Sequence, residues 1–414
     1  MFKDELRYNY TMNIHTFRAF QSRNYRLFFA GQSVSLMGTW MQRTAVYWVI
    51  YMQTHSAFIL GLSVFASQFP SFLLSLLGGA IADRYDRFKV LLFTQFASML
   101  QAIVVTLIVI FTDYSVVELI VLSILLGIIN AFDVPARQSL VHYMVEKKED
   151  VGNAIALNST MVNLARLLGP AFAGFILETF GEGICFMLNS LSFIAVIVSL
   201  LMMQLPAHIP QARTQKMLTD LKDGLHYLRS TPSLGILIVL LSLMSLLVLP
   251  YTTLFPIIAK ETLGGDATIY GYLNSFVGLG ALSGAILLAS LKANSNLRKL
   301  LIIATSCFGL GILFFSLSST LFFSYLFCTI AGFGMMLHVT IINTLLQTTS
   351  DAHMRGRVIS YFAMAFFGMQ PLGALLIGTI SHYLGAAQTL LLEGWAALLI
   401  IALFFPYIYK RAKA

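Results

Sequence analysis

Three side chains stand out because of where they fall. Arg43, Arg166 and Glu393 each lie inside a long apolar stretch. An ionised group in such a place is costly, so it faces a cavity or a partner. A guanidinium presents a planar fork of donors that fits a carboxylate. Arg43 and Arg166 would therefore make an internal cavity electropositive and suited to a small molecule with acidic oxygens. Internal pairing or snorkelling of the two arginines is the alternative. Glu393 offers a structural pairing or a proton-binding carboxyl. His338 lies in the middle of another apolar stretch, where it could titrate near neutral pH or simply be hydrogen-bonded. Asp133 stands four residues before Arg137, which puts the two on one helix face. Further polar candidates for a binding path are Gln42, Gln68, Asn130, Asn274, Asn343 and Gln370. Trp40, Tyr47, Trp48, Phe65, Tyr251 and Phe255 supply aromatic wall. Each of these can equally be packing.

The elements that must position these residues are membrane helices. Of the 414 residues, 58% are hydrophobic and only 11% charged. A soluble domain averages about 25% charged. No soluble core hides so much apolar surface, so lipid is the solvent for most of the chain. About 20 apolar residues cross a bilayer core of roughly 30 Å. Such stretches are expected at 25–50, 57–82, 88–111, 115–137, 151–177, 183–204, 233–259, 268–291, 298–317, 320–346, 356–381 and 386–409. The division is an N-terminal six-helix bundle over 1–204, a linker over 205–232 and a C-terminal six-helix bundle over 233–414. The linker carries Pro206, Pro210, Arg213 and Lys216, and Met217, Leu218, Leu221, Leu225 and Leu228 recur in it at helical spacing. That pattern predicts an amphipathic helix on the membrane surface.

The net charge of +8 would suggest nucleic acid on a soluble protein. Here it reads as topology. With the N-terminus inside, 23 of the 26 Lys and Arg fall on inner segments, among them Lys3, Arg7, Arg411 and Lys413. Lys260 is left outside, with Arg43 and Arg166 within spans. The positive-inside rule then places both termini in the cytoplasm. No cleavable signal sequence is expected before the first span. Cys185, Cys307 and Cys328 match no metal or redox spacing and read as packing residues. No phosphate-binding loop or metal-ligand spacing occurs, so no cofactor, metal or ATP drive is expected. An enzyme is not expected either. A transport-inactive receptor is disfavoured, because no loop offers a sizeable partner domain.

Residues 127–181 and 332–385 repeat one pattern. Gly127 answers to Gly332, Gly169-Pro170 to Pro371-Leu372-Gly373, and Gly181 to Gly385. Parallel six-helix halves about an axis along the membrane normal are one transporter design.

Between the second and third spans stands Gly79-Ala-Ile-Ala-Asp83-Arg84-Tyr-Asp86-Arg87-Phe-Lys89. It resembles the signature loop of the major facilitator superfamily, with Asp86 where Gly is usual and Phe88 where a basic residue is usual. Asn130-Ala-Phe-Asp133-Val-Pro135-Ala-Arg137-Gln138, followed by Asn153, Asn158, Asn163, Ala165-Arg166 and Leu168-Gly169-Pro170, is similar to the enterobactin-exporter-like branch of siderophore and drug exporters. Gly169-Pro170-Ala-Phe-Ala-Gly174 resembles the fifth-helix motif of the superfamily's antiporters.

The resemblance implies an all-α membrane protein of the major facilitator fold, with twelve helices in two pseudo-symmetric bundles. It implies a gate built from Gly79, Asp83, Arg84, Arg87, Asp133 and Arg137, in which Gly79 lets helices approach and Asp83 pairs or caps. It implies a hinge or seal at Gly169, Pro170 and Gly174. Proton-coupling candidates are Glu393, Asp133 and His338, while Arg43, Arg166 and His338 join the six polar residues as substrate candidates. The expected function is proton-coupled export of a small organic molecule, a carboxylate-bearing siderophore by preference, by a monomer in the bacterial inner membrane. Multidrug efflux and lipid or lysolipid flipping are the rivals within the fold.

Overall fold

Inside a bilayer the backbone has no water to bond to, so an apolar chain satisfies its amides within helices. The computed structural model describes residues 17–205, 217–292 and 295–410, and no strand occurs among them. A short 3₁₀ turn, Arg18–Gln21, leads into α1 (Arg23–Thr54). Then follow α2 (Ala57–Arg84), α3 (Arg87–Phe111), α4 (Val116–Met144), α5 (Val151–Phe180) and α6 (Glu182–Leu201). Helix α7 (Met217–Ser230) precedes α8 (Pro232–Thr262), α9 (Ala267–Ser290) and α10 (Leu297–Ser316). The last three are α11 (Leu321–Thr349), α12 (Arg355–Leu384) and α13 (Ala386–Lys410). Among the described residues, eleven helices are long and apolar enough to cross a membrane. The expected first span falls on α1, which is 32 residues long but outside that set. Its polar content, from Arg26 and Gln32 to Gln42 and Arg43, dilutes its apolarity. Lys3, Arg7, Pro206, Pro210, Arg213, Lys216, Arg411 and Lys413 lie outside the described residues.

Helix packing repeats between the halves. In the first half α2 packs on α4, α1 on α5 and α6, and α3 on α4 and α6. In the second half α9 packs on α11, α8 on α12 and α13, and α10 on α11 and α13. The repeated glycines also share a role. Gly181 and Gly385 close α5 and α12 at φ of 81° and 86°, a region that glycine enters without strain. Phe93, Leu100, Leu107 and Phe111 form an exposed stripe along α3, and lipid is the solvent that such a stripe suits.

Three irregular stretches interrupt the helices of the second half, one of them a π turn over Ile258–Thr262 at the end of α8. In α8 a 3₁₀ segment, Leu249–Leu254, carries Pro250, and Pro256 follows it. Pro250 has no amide hydrogen to continue the α-helical ladder there. In α12 a π turn spans Met364–Gly368, where the Phe72 ring takes the space that a Gly368 side chain would fill.

Small residues draw the halves together near the end that is poor in Lys and Arg. A methyl on Gly61 of α2 would lie 2.9 Å from the Gly378 Cα of α12. A methyl on Gly174 of α5 would lie 2.9 Å from the Thr268 Cα of α9, and Gly271 of α9 meets the Pro170 carbonyl. The Ser275 hydroxyl donates to the Leu167 carbonyl at 2.6 Å in the same seam. Helix α5 runs unbroken through Pro170. Pro170 and Gly174 of the Gly-Pro motif thus line the seam between the halves, while Gly169 faces α1 within its own half. Gly271→Val should collide with backbone that cannot move aside, destabilising the fold by about 1–3 kcal/mol. A melting curve in detergent reads this as a lower midpoint.

Candidate functional site

Residues 40, 43, 44, 47, 48 and 51 lie along one face of α1 at helical spacing. This face brings Trp40, Arg43, Tyr47 and Trp48 towards α5 and the second half. The Arg43 guanidinium carbon lies 5.4 Å from the Trp40 ring centroid, and that of Arg166, from α5, lies 5.9 Å from the same ring. The structure thus brings the two membrane arginines together on one indole. Both are half-buried, and neither forms an ion pair with a carboxylate among the described residues. Arg43 Nε donates to the Tyr47 hydroxyl at 3.4 Å. Tyr47 in turn contacts the Ser67 hydroxyl at 2.8 Å, and Ser67 donates to the Val64 carbonyl at 2.9 Å.

The wall continues into the second half. Trp48 stacks on Tyr270 of α9 with centroids 5.8 Å apart. Tyr51 donates to the Glu261 carboxylate at the end of α8. Tyr251 of α8 is fully buried, packs edge-on against Phe255 and Phe308, and has no hydrogen-bond partner for its hydroxyl among the described residues. Glu393 itself is 2% exposed, and neither carboxyl oxygen has a partner among the described residues. The structural pairing that the sequence allows for Glu393 is thus not formed.

Of the other polar candidates, Gln68, Asn130, Asn274, Asn343 and Gln370 are half-buried. Asn274 donates to its own helix at the Tyr270 carbonyl, and Asn343 accepts from Gln347. Two candidates are placed elsewhere. Gln42, one residue and about 100° round the helix from Arg43, points into the first bundle. It donates to Gln101 at 3.2 Å and accepts from Asn189 at 2.7 Å, tying α1 to α3 and α6. His338 is fully buried with Nδ1 2.7 Å from the Thr305 hydroxyl, between α10 and α11. Both hydrogen-bond to neighbouring helices within their own half. Gln42→Leu should orphan Gln101 and Asn189, at about 1–3 kcal/mol for each buried group left unpaired. A lowered melting midpoint with the transport KM unchanged is the expected result.

The gating candidates gather at the Lys- and Arg-rich end. Asp133 is buried and accepts from Thr94 at 3.0 Å, Gln95 at 2.6 Å and Arg137 at 3.2 Å. Arg87 reaches Asp83 at 3.5 Å, the Ala82 carbonyl at 3.1 Å and the Tyr143 hydroxyl at 3.3 Å. Capping of α3 falls to Asp86, which accepts from the Phe88 amide at 2.9 Å. Arg84 completes the turn at the end of α2. Gly79 has open space where a side chain would stand. The close approach expected of it belongs instead to Gly78, which abuts the Ala131 carbonyl of α4. Adjacent helix residues face different neighbours, so a one-residue difference decides this.

Sequence reasoning named Trp40 and Tyr251 only as wall, and it missed Tyr270, Glu261 and Gly271. The α1 spacing of Trp40 and Arg43 was the available signal. Contacts between the halves leave no such trace.

Two sets of helices with a repeated packing pattern, joined around a polar and aromatic centre, form a membrane transporter of the major facilitator fold. Residues 14–413 match the family described as transmembrane secretion effector, and the chain belongs to it. The chain is 26% identical to the staphyloferrin A transporter of Staphylococcus aureus, covering 94% of this chain and 97% of that one. It is 24% identical to the multidrug efflux pump Tap of Mycolicibacterium fortuitum, covering 87% and 90%. It is 25% identical to the enterobactin exporter of Shigella flexneri, covering 91% and 89%. Among solved structures, a POT family transporter in complex with 5-aminolevulinic acid superposes with a TM-score of 0.75 at 13% identity, covering 94% and 96%. These place the chain among siderophore and drug exporters, which are transporters and not enzymes.

Proposed function

We propose that this protein exports a small anionic organic molecule of the siderophore class from the bacterial cytoplasm, exchanging it for protons by alternating access. The observation that carries this reading is the pair Arg43 and Arg166, convergent on Trp40 without a carboxylate partner among the described residues. Two guanidiniums with free donors suit a ligand that brings the acidic oxygens itself. With the basic end in the cytoplasm, the seam of Gly61, Gly174 and Gly271 closes the outer side, and the substrate enters from within. Asp83, Arg87, Asp133 and Arg137 then form the inner gate that closes as the outer seam opens. The protein works as a monomer in the inner membrane, with both termini cytoplasmic.

Glu393 is the proton carrier of this reading. Its carboxyl, without a partner among the described residues, can gain and lose a proton without breaking a hydrogen bond. Asp133 is held by three donors and serves the gate, and His338 is tied to Thr305. The rival reading, efflux of lipophilic drugs, draws on the aromatic wall and the likeness to the multidrug pump. Inverted membrane vesicles separate the two. An acidic chelator should accumulate against its gradient and stop when the pH gradient is collapsed. Uptake of cationic dyes with no uptake of acidic chelators would favour drug efflux.

A further inference from the structure

Two guanidiniums that share no carboxylate repel each other, so their separation must be set by something else. Arg43 has a tether in Tyr47. Arg166 forms no hydrogen bond to a described residue and lies against the Trp40 ring. The electron-rich face of an indole attracts a cation within about 6 Å of its centroid, and both arginines meet that distance.

The position of the ring is itself set from α5. A methyl built on Gly169 would lie 2.6 Å from the Trp40 Cβ and 3.4 Å from the Met37 carbonyl. Only a bare backbone at position 169 lets Trp40 sit where it does. Gly169 stands three residues after Arg166, on the same face of α5. One turn of α5 thus supplies both the second arginine and the notch that seats the ring.

We propose that Trp40 is a positioning residue that holds Arg43 and Arg166 at a fixed separation, with Gly169 as its seat. This deepens the reading of the two arginines as the anion grip and rests on it. It gives the glycine of the Gly-Pro motif a duty apart from the inter-half seam that Pro170 and Gly174 line, as a determinant of substrate-site geometry. Any side chain at 169 would displace the indole and let the two cations drift apart.

The chain has three tryptophans, so Trp48→Phe with Trp395→Phe leaves Trp40 as the sole indole. In detergent at constant ionic strength, its fluorescence is quenched with iodide, an anion, and with neutral acrylamide. Guanidiniums on the ring draw iodide in, so the iodide-to-acrylamide quenching ratio should exceed that of free indole. Arg43→Gln and Arg166→Gln should each lower the ratio, and together they should lower it by about threefold. Gly169→Ala, with both arginines present, should lower it too. The single arginine variants serve if Gly169→Ala does not fold. A ratio that ignores the arginine substitutions overturns the proposal, as does one unchanged in folded Gly169→Ala. No exported substrate is needed for this reading. If the ratios behave as stated while Arg43→Ala and Arg166→Ala still export an acidic substrate normally, the anion reading fails and the positioning role stands.

Discussion

Replacing Arg43 or Arg166 with alanine should raise the KM for an acidic substrate by about 10- to 100-fold. The estimate follows from the roughly 1.5–3 kcal/mol that a hydrogen bond to a charged group contributes and the tenfold change per 1.4 kcal/mol. Each guanidinium is half-buried on Trp40 and lacks a carboxylate partner among the described residues, so its terminal NH2 donors are open to a ligand. Lysine should restore only part of the loss, because an ammonium cannot grip a carboxylate with a planar fork. The two substitutions share one ring and should not be additive. Concentration-dependent uptake into inverted vesicles reads all of this. Neutral lipophilic substrates should show little change, which separates loss of charge recognition from loss of fold. Melting should also be little affected, since neither arginine closes an ion pair whose loss would leave a buried carboxylate alone.

Replacing Glu393 with glutamine should abolish uphill transport while leaving exchange down a substrate gradient intact. Glutamine keeps the shape and cannot carry the proton. The expected fall in accumulation ratio is at least about tenfold, the equivalent of losing one pH unit of drive. The pH dependence of wild-type exchange should flatten in the variant. Melting should be unchanged or higher, because a buried carboxyl with neither oxygen partnered stabilises nothing that glutamine would lose. Asp133 supplies the contrast. Its carboxylate holds Thr94, Gln95 and Arg137, so a substitution there should act on the gate and on stability together. Vesicles with an imposed pH gradient, compared with counterflow in its absence, distinguish coupling from passage.

How much of this was legible in the sequence depends on which distance each feature spans. The helices follow from apolar length, and the 3₁₀ segment at Pro250 from the missing amide. The Asp133–Arg137 pair follows from spacing within one helix. The membrane arginines were conspicuous by their place in apolar stretches, but their meeting on Trp40 required α1 and α5 to be docked. The misplaced candidates fail for one reason. Gln42 and His338 are polar residues in membrane helices, and such a residue turns as readily to a neighbouring helix as to a cavity. Helix phase alone cannot separate the two without knowing which face is central. Gly79 and Gly78 differ in the same way. The first helix shows the converse. The residues that make α1 central to the site also make it the least apolar of the expected spans.

The central claim is export of an acidic small molecule through the arginine pair, and one measurement meets it directly. The culture medium of a deletion strain is compared by mass spectrometry with that of strains restored with the wild-type gene or with Arg43→Ala/Arg166→Ala. A carboxylate-rich iron chelator absent from the deletion medium, restored by wild type and not by the double variant, is the predicted result. A chelator profile that is the same in all three media, with drug sensitivity the only phenotype of the deletion, would contradict it.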